Sequence, residues 1–115
     1  MARIFELQRK STLALRQRKQ SLLRQLHLPP DALRASCVEQ FLTCGKPADR
    51  RHGPYYYLTL CLGTGRIRKF LLKEPDQQQQ ARAGTAAYTR FMEGMEELSQ
   101  INAELLRRGE PLPAA

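Results

Sequence analysis

The sequence predicts an α+β fold: a long basic N-terminal helix, a three-stranded antiparallel sheet with a central hairpin, and a long C-terminal helix of coiled-coil character. Three observations carry this. No Gly or Pro interrupts Ile4 to His27, Gly63-Thr64-Gly65 separates two strand-like runs, and a heptad seam leads to Arg108.

In the first segment good helix formers dominate, with Leu15, Leu22 and Leu26 at helical spacing, Leu23 beside them and basic residues between. Pro29-Pro30 ends it, and Asp31 is placed to cap a short turn of helix through Leu33 or Arg34. Cys37 to Cys44 reads as a strand, with helix as its rival, and Gly45 to Pro54 as a polar loop full of breakers. Tyr55 to Leu62 and Arg66 to Leu72 then form the hairpin. Tyr56, Leu58 and Leu60 share one face, and Arg66, Arg68, Phe70 and Leu72 share one on the partner strand, in a register that a loop of two or three residues leaves open.

Pro75 suits the first turn of the last helix, which takes in the short Gln77–Gln80 run. Tyr88, Phe91, Met95, Leu98, Asn102 and Leu105 alternate in steps of three and four, and are read as a homodimer seam with Asn102 setting register. Ala81 and Gly84 extend that seam. Ala87, Met92, Ile101 and Leu106 widen the stripe enough to pack within the chain as well. Gly109 stops the helix, and residues 109–115 are expected as a loose tail after a single domain, 1–108.

Charge is the most informative feature. The formal net charge is +8. Residues 1–28 set seven cations against Glu6, and residues 46–73 set seven against Asp49, while 74–115 are acidic. Two basic blocks point to a polyanion, with DNA preferred to RNA. The expected contacts are Arg9, Lys10, Arg16 and Lys19 on the first helix, then Lys46, Arg50, Arg51, Tyr55, Arg66, Arg68 and Lys69 on the loop and hairpin. Tyr55, Tyr56 and Tyr57 can instead stack on unpaired bases, favouring single strands. The competing reading makes Tyr56 core, the hairpin cations guards of a sheet edge, and the helix cations partners of Glu93, Glu96, Glu97 and Glu104.

No enzyme is expected. His27 and His52 are the only histidines, His27 suits a helix end, and no G-x-S-x-G, P-loop or H-E-x-x-H element occurs. Neither metal nor cofactor is expected: Cys44 and His52 flank the loop without a close cysteine pair, and Cys37 and Cys61 read as packed thiols. The odd cysteine count and the lack of a signal peptide or membrane-length apolar run point to the cytoplasm.

The segment Cys44-Gly45-Lys46-Pro47 … His52-Gly53-Pro54-Tyr55-Tyr56-Tyr57-Leu58, with the basic hairpin and the helix through Leu98, Asn102 and Arg108, resembles a small prokaryotic family of no assigned activity. Its members read C-G-K-P-x-C-x-C and then H-G-P-Y-Y-Y, and tend to be encoded near transposases and other mobile elements. The resemblance covers about residues 41–108. It implies a DNA-transaction setting and, from the family's cysteine cluster, a metal knuckle. This chain departs there, since Ala48-Asp49-Arg50-Arg51 stands where the second and third cysteines belong. The resulting expectation is a nucleic-acid-binding accessory protein of a mobile element, with a larger protein client and no membrane partner. The alternative is an adaptor that dimerises through its last helix and binds an acidic protein.

Overall fold

The computed structural model describes the backbone of residues 3–43 and 51–113, and the side chains of 6–41 and 54–113. In chain order it has α1 (Arg3–Gln8), α2 (Thr12–Gln25), β1 (Ala35–Thr43), β2 (Arg51–Cys61), β3 (Ile67–Leu72) and α3 (Pro75–Arg107). The α+β class, the antiparallel three-stranded sheet and the long last helix agree with the sequence reading.

The first helix does not. The uninterrupted helix expected from Ile4 to His27 is broken at Arg9–Ser11, because Ser11 takes extended backbone angles and its Oγ accepts from the Ala14 N–H at 3.1 Å, an N-cap that starts α2 afresh. Residues 29–34 likewise form no helical turn beyond one tight turn, closed by Ala32 N–H donating to the Pro29 carbonyl at 3.2 Å.

The chain is organised as two compact units: residues 1–28 with 90–115, and residues 29–89. The first is helical. Leu7, Leu15, Leu22, Ile101 and Leu105 are buried together, with Leu26, Leu98 and Leu112 against them. On α3 the residues turned inward are Gly94, Leu98, Ile101 and Leu105, again in steps of four and three. Leu26 lies close to Gly94, where a Cβ would meet the end of its side chain. Two members of the expected dimer seam are thus spent within the chain. Leu105 is fully buried and Leu98 packs on the same core, because α2 offers the nearest apolar stripe.

The polar side of this core centres on Glu104, which is buried between Arg107 (Oε2 at 2.6 Å) and Arg108 (Oε2 at 2.6 Å). Hydrogen bonds from Arg107 and then Arg108 hold its carboxyl down to about 2, from an ordinary 4.5. A carboxylate whose folded pKa is depressed stabilises the fold above its unfolded pKa, and that contribution is lost as pH falls toward 2. Melting temperature should therefore drop as pH falls from about 4.5 to 2, and Glu104→Gln should flatten that drop. Parallel profiles for the two proteins would remove Glu104 from the acid response.

Within the expected tail, residues 109–112 are tied back to the helical unit. Gly109 takes φ +77° and the Glu110 N–H donates to the Leu105 carbonyl at 2.9 Å, a left-handed helix stop. Glu110 then pairs with Arg16 at 3.2 Å, and the Leu112 carbonyl accepts from the Lys19 ammonium.

The second unit is the sheet, ordered β1-β2-β3, with the start of α3 and the 29–34 segment. β2 begins at Arg51, so Gly53 and Pro54 lie in a strand where a loop was expected. The pairing slips there: Gln40 opposes Tyr55 and Leu42 opposes His52, leaving Phe41 across from both Gly53 and Pro54. A bulge is where a residue lacking an N–H can sit in a central strand. The hairpin loop has three residues, Gly63, Thr64 and Gly65, all at positive φ, and Leu62 N–H donates to the Arg66 carbonyl at 2.9 Å. Leu58, Leu72 and Ala81 form this unit's core, with Leu33, Ala35, Cys37 and Tyr56 around it. Among the described residues, no helix is long and apolar enough to cross a membrane.

Candidate nucleic-acid interface

The cationic helix face is largely committed within its own unit. Lys19 is buried, with its ammonium on a backbone carbonyl; Arg16 is held by Glu110; and Arg18 makes a two-pronged pair with Glu97 at 2.6 and 2.8 Å. The Glu97 carboxylate raises the Arg18 pKa through that hydrogen bond. Lys19 and Arg16, expected as nucleic-acid contacts, are instead engaged by the tail that follows α3, which brings the Leu112 carbonyl and the Glu110 carboxylate to them. Arg9 and Lys10 remain exposed. Lys46 and Arg50, and the side chains of Arg51 and His52, lie outside the described residues, as does Cys44.

The sheet divides the remaining candidates. Leu58 opposes Phe70 and Leu60 opposes Arg68, while Thr59 opposes Lys69. Successive residues of a strand point to opposite faces. Arg68 therefore lies on the face of Leu58 and Leu72, which α3 covers through Ala81, and Lys69 lies on the other. The single ribbon surface expected of Arg66, Arg68 and Lys69 is split by the strand alternation, with Arg66 at the turn. Tyr56 belongs to the covered face, half-buried against the core and 5.0 Å from the Arg82 guanidinium carbon.

Among the described residues of this unit, the apolar core lies on that covered face and the opposite face is open. Its rows are Ser36, Val38 and Gln40 on β1, Tyr55, Tyr57, Thr59 and Cys61 on β2, and Ile67, Lys69 and Leu71 on β3. Lys69 crosses it diagonally. Its ammonium lies 4.4 Å from the centre of the Tyr57 ring and donates to Gln40 Oε1 at 3.1 Å. Ile67 is 66% exposed and Leu71 36%. A row of apolar side chains, two tyrosines and a cation stretched over one ring is a surface fit to stack a flat ring and bind a negative charge beside it. Sequence reasoning named Tyr55, Tyr57 and Lys69 but missed Val38, Ile67 and Leu71. Strand alternation could have found them, once the loop length fixed the register.

The chain matches no protein-family model, no curated protein and no solved structure.

Proposed function

We propose that the chain is a nucleic-acid-binding accessory protein that takes single strands on the open face of its sheet. The observation that carries this reading is Lys69 lying over Tyr57 among exposed apolar neighbours. A base that stacks on Tyr57 displaces the ammonium from the ring and leaves it free for the adjoining phosphate. In this reading the exposed Arg66 and the cations Lys46, Arg50 and Arg51 are further phosphate partners. The resemblance to a family encoded near mobile elements favours DNA over RNA and a role beside a larger enzyme.

Fluorescence anisotropy with a labelled oligothymidine and a matched duplex tests this. The single strand should bind better, and about three phosphate contacts should cost roughly 20-fold in affinity between 50 and 200 mM salt. Tyr57→Ala should weaken binding by about tenfold, the low end for one lost stacking platform, without altering the circular dichroism. Affinity indifferent to salt, or a Tyr57→Ala protein that binds unchanged, would leave the adaptor for an acidic protein as the better account.

A further inference from the structure

Helix α3 carries a second seam, one position round from the inward one. Met92, Met95, Ser99, Asn102 and Leu106 follow each other in steps of three, four, three and four, so they form a continuous stripe. Met92 is 44% exposed, Met95 40% and Leu106 64%, and none of them belongs to the buried core of the helical unit. The inward seam, from Gly94 to Leu105, is filled by α2 and α1. The outer seam is a different surface from the expected one, which mixed positions of both.

We propose that the outer seam joins two copies of this chain through antiparallel α3 helices. The pattern is self-complementary in one register. With the two-fold axis crossing α3 between Gln100 and Ile101, Met95 faces Leu106 of the second copy, and Ser99 faces Asn102 of the second copy, each twice. The hydroxyl of Ser99 can donate or accept, so it suits an amide. Charge agrees with this register. The exposed Glu93 and Glu96 flank the first half of the seam and Arg107 flanks the second half on the same side. Reversing the second helix sets each Glu96 within a turn of the other copy's Arg107, which is held by its own Glu104 but still 60% exposed, whereas a parallel pair would place acids beside acids.

Sedimentation equilibrium of the full chain, with no nucleic acid present, should show a reversible monomer–dimer equilibrium. Met95→Glu should weaken it by roughly tenfold or more while the helical circular dichroism is retained. Orientation is read by cross-linking. An equimolar mixture of Met95→Cys and Leu106→Cys proteins should form a disulfide between the two new positions under mild oxidation, with the linked peptides identified by mass spectrometry. Neither variant alone should link through its new cysteine, because the like positions then lie about 16 Å apart along the axis. A monomer at every concentration, association indifferent to Met95→Glu, or self-linkage of the single variants would each overturn the proposal.

Discussion

Arg108→Ala is expected to lower the unfolding free energy by about 3–4 kcal/mol, the largest loss at any single position considered. The guanidinium donates to Glu104 Oε2 at 2.6 Å and to Thr12 Oγ1 at 3.1 Å. It also donates to the carbonyls of Leu7, Gln8 and Lys10 at 3.1, 3.3 and 2.7 Å. Those carbonyls belong to the end of α1 and its exit, where a helix leaves acceptors with no partner of its own. One side chain thus caps α1, ties it to the start of α2 and helps neutralise a buried carboxylate. Alanine removes all three roles and leaves Glu104 with Arg107 alone. Arg108→Lys should recover part of the loss, since an ammonium keeps the charge but cannot span the carbonyls and Glu104 together. Urea unfolding followed by circular dichroism measures both. An Arg108→Ala protein within 1 kcal/mol of the parent would show that the carbonyls are served equally well by water.

Gly84→Ala should cost about 2 kcal/mol although alanine is the better helix former by about 1 kcal/mol. Gly84 is buried in the second unit, and a Cβ there would run into the Asp31 carbonyl oxygen and come within 2.9 Å of Leu33 Cδ1. The obstacle is backbone, held in place by the tight turn at Pro29–Ala32 and by Leu33 N–H donating to the Gly84 carbonyl at 3.1 Å. It cannot rotate away. Gly94→Ala is the matched control, because its added methyl meets the outer methyl of Leu26, a flexible side chain. That variant should stay within about 1 kcal/mol of the parent, helix propensity offsetting the crowding. Equal stabilities for the two variants would mean that the 31–33 segment does not need this close approach.

Gly84 also marks where sequence reasoning ended. It was read as an extension of the heptad seam, since periodicity reports which side a residue is on but not what arrives there. The tyrosine triplet behaved differently. Alternation alone separates Tyr56 from Tyr55 and Tyr57, and the structure keeps that separation, with Tyr56 toward the core. The cations were least legible. A count of charges sees Arg16 and Lys19 as free, whereas Glu110 and the Leu112 carbonyl, more than ninety positions away in the chain, engage them.

The sequence by itself determined the α+β class, the order of sheet and last helix, the three-residue hairpin turn as one of two options, the Gly109 stop and the two-block charge pattern. Each depends on local backbone preference or on residue identity, which neighbours in sequence specify. Only the tertiary structure decided which cations are spent internally, which seam of α3 is filled and which sheet face stays open. Those outcomes depend on contacts between distant segments, and burial and ion pairing are settled when the segments meet.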